Sequence, residues 1–345
     1  MVTRWTRRVL FHPATHSETG RAILVALEFV VVAAVSVLSL GVAPEGITAE
    51  TVRPSQFFTD GIGVLLAFGI AAFMGFESGA IYSEEARDPE RTVPKATYIA
   101  VGTIALFYAF SAWAFAQGVG PSVVIDKATE LGPDLVFAWL GDYSVLAANI
   151  ANCLFVTSLI AALVAFHNAA ARYFFSLGRS RVLPEKFAMS SSKGAPIAGS
   201  ITQTFIAFLV VGGFAIAGNG SDMGELFPVL TLFTWLTNAA AFGLVFLLAV
   251  VSVSIMVWLN KQEKGYSFFS RVIAPLVSAC GLVAVFILVL MNFPLMIGDT
   301  GSDALVWVMP GIIIASGILG LMWGEYLKHA RPHIYASLQD NLDRI

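Results

Sequence analysis

Charge is scarce in this sequence. Asp, Glu, Lys and Arg supply 12% of its 345 residues, against about 25% in soluble globular domains, so most of the chain is not built to face water. Cysteine is nearly absent. Cys153 and Cys280 both fall inside apolar runs, where they read as small buried hydrophobes and define neither a disulfide framework nor a metal site. Short alternating segments of the kind that build membrane barrels are missing. The basic opening, MVTRWTRRVLFHPATHSETG, precedes a full-length apolar run without a small-residue cleavage site. It reads as a tail ahead of a retained helix, not as a signal peptide. His12/His16 and His329/His333 have i,i+4 spacing but sit in tails without a third ligand, and no metal or other cofactor is expected.

What is present is apolar length. Hydrophobic residues make up 57% of the chain and the mean hydropathy is +0.78. Runs of roughly 20 residues recur, the length that crosses about 30 Å of hydrocarbon at 1.5 Å per residue. The expected fold class is therefore an all-α polytopic membrane protein. Eight spans are expected, near 22–43, 58–86, 96–118, 145–176, 197–217, 226–258, 271–296 and 304–327. They divide the chain into a tail (1–21), a transmembrane domain (22–328) and a second tail (329–345). Pro, Gly and charge break up residues 121–143, which read as a loop with a short amphipathic helix at the surface. With both termini cytoplasmic, only Arg53 and Lys127 of the 20 basic residues fall outside the inner segments, as the positive-inside rule requires.

One span contradicts its own hydrophobicity. From Phe58 the chain runs through FTDGIGVLLAFGIAAF and then meets Met74-Gly75-Phe76-Glu77-Ser78-Gly79. Each glycine costs a helix about 1 kcal/mol relative to alanine, and a charged Glu77 in lipid costs several kcal/mol. One reading is close packing, with Glu77 paired to a neighbouring helix. The other is a discontinuous helix near 74–79. Its first half would end in free carbonyls near Gly69 to Met74, and its second half would begin with free N–H groups near Ser78 to Ala80. Half-helix ends of this kind build polar sites inside lipid, and the negative dipole end suits an ammonium group. The charges that follow, SEEARDPERTVPKA, fit either a solvated loop or an ion-paired inner gate. Pro89 would stop one helix, and Pro94 would sit just before the next.

These residues resemble a known family. GFESGAIYSEEARDPERTVPKA is similar to the sixth-helix signature of the amino acid–polyamine–organocation permeases, a G-[FV]-E core followed by N/D-P-x-R-x-[IVL]-P-x-A. FHNAAARYFFSLGRSRVLPEKFA, residues 166–188, resembles the end of that family's eighth helix. The resemblance implies a partial LeuT-like inverted-repeat transporter fold, the eight spans matching family helices five to twelve. It also implies an N-terminally truncated permease, because no glycine-rich break of a first helix occurs before Gly20. In the family the substrate lies between broken helices one and six.

Carried over, the resemblance places substrate-binding backbone at Ala71, Met74, Gly75, Phe76, Glu77, Ser78 and Gly79. Ala71 and Met74 would offer carbonyls to an amine, and Gly75 and Gly79 would free the backbone. Glu77 would be a gate or proton-sensitive group. Ion or proton coupling falls to Glu28, Glu77, Thr157 and Ser158. Against this stands a bland alternative: Glu28 as a paired glutamate, and the hydroxyls as helix-packing hydrogen bonds. His167 is either a proton relay or a packing residue. The expected function is secondary active transport of amino acids or related amines, proton-coupled or by exchange, at the plasma membrane. The competing expectation is a non-transporting membrane fragment or a subunit needing a missing N-terminal portion or second chain. Expected partners are the substrate and membrane lipid, not nucleic acid. No paired acids, intramembrane His-x-x-x-His or Ser/His arrangement suggests an enzyme, and no filter motif suggests a channel.

Overall fold

The computed structural model describes residues 13–58, 61–81, 86, 88–192, 194–221, 224, 227–261, 266–297 and 303–342. These residues contain no β-strand. Besides a single turn at Pro54–Phe57, the α-helices in chain order are α1 (Pro13–Gly41), α2 (Ile62–Ala71), α3 (Ser78–Ile81), α4 (Pro89–Val119), α5 (Val124–Leu131), α6 (Leu135–Tyr143) and α7 (Val145–Arg179). There follow α8 (Ile197–Ala217), α9 (Thr234–Lys261), α10 (Ala274–Met291), α11 (Phe293–Ile297), α12 (Asp303–Ala330) and α13 (Pro332–Leu342). Among the described residues six stretches are long and apolar enough to cross a membrane: Pro89–Val119, Val145–Arg179, Ile197–Ala217, Thr231–Lys261, Phe269–Met291 and Ala304–Ala330. The expected spans 22–43 and 58–86 hold shorter apolar helices, Val25–Gly41 and Ile62–Ala71. The protein is an integral, multi-pass, all-α membrane protein.

The chain forms two compact units. The first joins the residues before Phe58 to Pro94–Phe166. Here α1 and α4 cross where a Cβ on Gly118 would stand 2.6 Å from the Ser39 side chain, so glycine permits the contact. Gln117 is fully buried. Its carbonyl oxygen accepts the Thr48 N–H at 2.9 Å and its amide donates to Thr51 Oγ1 at 3.3 Å. A buried amide is tolerated only when so satisfied. The segment 121–143 holds the expected short surface helix, α5, with no buried residue, and in addition a second helix, α6, whose Leu135, Trp139 and Leu140 are buried. Trp139 donates its indole N–H to the Gly118 carbonyl at 3.1 Å. An indole that finds both apolar neighbours and one acceptor packs inward, not at the surface.

The second unit joins residues 58–93 to those from His167 onward. Its core is Ala67, Ala241, Phe242, Val289, Phe293, Met296 and Ile297, with Phe242 stacked on Phe286 at 4.4 Å. Serines join α9 to α10 through a Ser252–Ser278 hydroxyl bond of 3.0 Å, and buried Asn238 donates its amide to the Met296 carbonyl. A side chain on Gly199 would run into the backbone of Ala171, so α7 and α8 touch backbone to backbone. One turn along, His167 Nε2 and Ser200 Oγ lie 2.8 Å apart, which gives this histidine a packing bond between helices. Pro94 lies inside α4, which starts at Pro89 instead of after Pro94. Asp88, at φ +51, sets that start by accepting the N–H groups of Arg91 and Thr92. Proline at the first helical position loses nothing, because its N–H would be an orphan anyway.

Candidate functional site

The second unit contains an interrupted helix. α2 is regular from Ile62 to Ala71, residues 72–77 form turns, and helix resumes as α3 at Ser78. Hydrogen bonds show how the ladder is lost. Ala72 still donates to Phe68 at 2.9 Å, but Phe73 donates to Ile70 and Met74 to Ala71, both at 3.0 Å, the tighter i→i+3 pattern of a closing turn. Gly75 then takes φ +103, a region closed to residues with a Cβ. Its N–H, which would have returned to Ala71 in a helix, donates instead to Glu77 Oε2 at 3.0 Å. Phe76 donates to Phe73 at 3.1 Å.

The consequence falls on Ala72. The two N–H groups that could reach back to its carbonyl from the i+3 and i+4 positions, those of Gly75 and Phe76, are both engaged elsewhere. Ala71 keeps one donor, Met74, so of these two carbonyls Ala72, inside the expected stretch from Gly69 to Met74, is the more open acceptor. Ala72 has no side-chain chemistry to announce it; the bond assignment alone reveals it. The Ala80 N–H expected to be free donates to Glu77 at 2.9 Å, and Gly79 lies inside α3. Of the two glycines, only Gly75 has a positive φ. Phe76 and Glu77 are half-buried in the turn, and Ala71 packs against the core. The Ser78 side chain, and Glu84, Glu85 and Arg87 of the expected inner gate, lie outside the described residues. Asp88, Glu90, Arg91 and Lys95 are exposed.

Glu77 thus acts locally, its carboxylate capping the unwound backbone two residues earlier. It also lies within electrostatic reach of the Tyr173 hydroxyl on α7. Trp235 sits in the packed core, edge-on to Phe214 at 5.8 Å. The remaining expected coupling residues lie in the first unit. Ser158 donates its hydroxyl to Glu28 Oε2 at 3.1 Å, bridging α7 and α1. The Thr157 hydroxyl donates to the Leu154 carbonyl of its own helix at 2.8 Å, and so does not join that pair.

The eighth-helix motif is also legible in space. After α7, Arg181 takes φ +59 and Leu183 donates back to the Leu177 carbonyl at 3.1 Å, a helix-ending reversal. Phe187 folds onto Phe174 with ring centres 5.8 Å apart. A Cβ on Gly178 would stand 2.7 Å from the Ala188 backbone. Gly178, the left-handed Arg181 and the Leu183-Pro184 pair together close this helix end.

Comparison with known proteins agrees with this architecture. The amino acid permease family matches residues 14–318. The histidine permease HisP of Lactococcus lactis subsp. cremoris is 28% identical over 49% of this chain and 37% of its own length. The lysine-specific permease LysP of the same organism is 31% identical over 45% of this chain and 31% of its own. The D-serine/D-alanine/glycine transporter of Escherichia coli O6:H1 is 26% identical over 86% of this chain and 63% of its own. The chain therefore spans less than two thirds of the length of these curated relatives, all of them transporters by name. No solved structure matches. A match across most of the sequence, together with a multi-pass helical structure interrupted at the G-F-E motif, places the chain in the amino acid permease family.

Proposed function

We propose that this chain takes part in secondary active transport of amino acids or related amines, coupled to protons or by exchange, and that residues 71–77 bind the substrate's ammonium group. The observation that carries the reading is the loss of the helical ladder at Ala72, whose carbonyl keeps its acceptor capacity at the C-terminal, negative end of α2. The relatives' names span histidine, lysine, glycine and D-serine. What these share is an α-ammonium group, and backbone carbonyls recognise it without regard to side chain. Glu77 holds the loop open through Gly75 and adds negative charge beside it. Glu28 and Ser158 form a coupling pair that exchanges a proton or cation during the cycle.

In this reading the transmembrane domain is 22–328, flanked by cytoplasmic tails 1–21 and 329–345 in the plasma membrane. An N-terminal portion or a second chain completes the substrate site, because the relatives carry additional length. The competing outcome is a membrane fragment that inserts without transporting. Uptake of a radiolabelled amino acid panel into proteoliposomes tests both, with this chain alone and with an upstream-extended version. Uptake by the extended version only supports completion by another portion. Uptake by neither removes the transport reading.

A further inference from the structure

We propose that Arg271, with the hydroxyls of Ser267 and Ser270, binds the phosphate of an anionic phospholipid at one membrane–water boundary. Arg271 stands in the π-helical turn Phe269–Ile273 that opens α10, two residues into the membrane-crossing stretch Phe269–Met291. At 1.5 Å per residue this is about 3 Å from the stretch's end, at headgroup depth and not in hydrocarbon. The side chain is half-buried, and its Nε–H is sealed from solvent with no hydrogen-bond partner among the described residues. The sequence offers little to neutralise it: between Glu225 and Asp299 the one acid is Glu263, against Lys261, Lys264 and Arg271. A half-buried guanidinium without a counter-ion among the described residues is unfavourable. The two terminal nitrogens, which are not sealed, are the donors that an acceptor anion from outside the chain can reach, and the planar guanidinium geometry matches phosphate.

The surroundings select a lipid. Tyr266, Phe268 and Phe269 are 41%, 61% and 63% exposed, and Trp258, near the end of α9, is also exposed. The Ser252–Ser278 bond sets the antiparallel register that brings the end of α9 beside the start of α10, so these rings and Lys261 share one level. Aromatic rings collect at headgroup level, and basic side chains there attract anionic lipid. Ser267 and Ser270 supply further donors. Their hydroxyls share one bond of 3.0 Å, which uses one proton and leaves the other to donate. Ser267 Oγ also accepts the Ser270 N–H at 3.2 Å, and the Ser267 carbonyl accepts the Arg271 N–H at 3.0 Å, so both hydroxyls are held on the turn that carries the guanidinium.

Native mass spectrometry of the full chain, released from detergent with equimolar phosphatidylglycerol and phosphatidylcholine, tests the site. The expected result is about tenfold preferential retention of phosphatidylglycerol, reduced to parity in Arg271→Gln and only partly restored in Arg271→Lys, which keeps the charge but loses the fork. Equal retention of both lipids by the unaltered protein overturns the proposal, as does an undiminished preference in Arg271→Gln. Displacement of the lipid by millimolar inorganic phosphate, with no lipid preference left, indicates a soluble-anion site and also overturns it. A photoactivatable phosphatidylglycerol provides a readout that needs no variant. Labelling concentrated on residues 258–271 supports the site, and labelling confined to other segments rejects it.

Discussion

Gly75→Ala isolates the cost of the helix break. An added Cβ at Gly75 meets nothing within 4 Å, so the substitution creates no clash. What it creates is torsional strain, because φ is +103 and L-residues held in such regions cost about 1–3 kcal/mol. At about 1.4 kcal/mol per decade, a central cost of about 2 kcal/mol is roughly a 30-fold shift in the equilibrium between the open turn and any state with φ below zero. The competing state is at hand: an α-helical Gly75 N–H returns to Ala71 and leaves Glu77 without its partner. The control is Gly69→Ala. Gly69 lies inside α2, has no positive φ, and its Cβ also meets nothing within 4 Å. That change is expected to stabilise by up to about 1 kcal/mol. Thermal unfolding of the purified protein reads both variants without any assumption about transport. Gly75→Ala should lower the midpoint by a few degrees and Gly69→Ala should hold or raise it. In a transport-competent preparation, Gly75→Ala should also weaken substrate affinity by about tenfold or more. If the two variants shift stability alike, the positive φ at Gly75 is not what shapes this turn, and the account of Ala72 goes with it.

Glu77→Gln keeps an acceptor for the Gly75 N–H, whereas Glu77→Ala removes it. The alanine variant should therefore lose about 1–3 kcal/mol and the glutamine variant less than half of that, while transport by Glu77→Gln should fall or change its pH profile; equal stability losses would show that the capping bond contributes nothing. Ser158→Ala leaves the half-buried Glu28 carboxylate without its donor and should cost about 1–2 kcal/mol. Thr157→Val, next to it, should cost under about 1 kcal/mol, since that hydroxyl serves its own helix; the reverse order in a chemical-unfolding series would contradict the assignment. Gly199→Ala forces a methyl against the Ala171 backbone and should destabilise by about 1–3 kcal/mol, detectable as loss of folded protein in size-exclusion chromatography after heating. An unchanged profile would mean that α7 and α8 separate easily.

Much of this protein is decided locally, and the sequence alone determines it. Apolar runs that cannot face water must enter lipid, and in lipid they must be helical because no other solvent satisfies the backbone. Gly75 beside Glu77 marks the place where that rule is broken, since glycine alone takes the required φ of +103 without strain. The family motifs are local for the same reason. Gly178, Arg181, Leu183 and Phe187 close one helix end within a dozen residues. The tertiary structure decides partners. Nothing in the composition of residues 71–77 says that Ala72 is left open while Ala71 is not, or that Gly79 is helical. Those facts follow from where two N–H groups point. Glu28 and Ser158 are 130 residues apart, and their bond exists only because α1 and α7 lie side by side. Trp139 reads as a surface residue in a broken segment until the Gly118 carbonyl appears opposite its indole. A hydrogen bond is a relation between two positions in space, and periodicity along one chain reports faces, not the atoms that will meet across them.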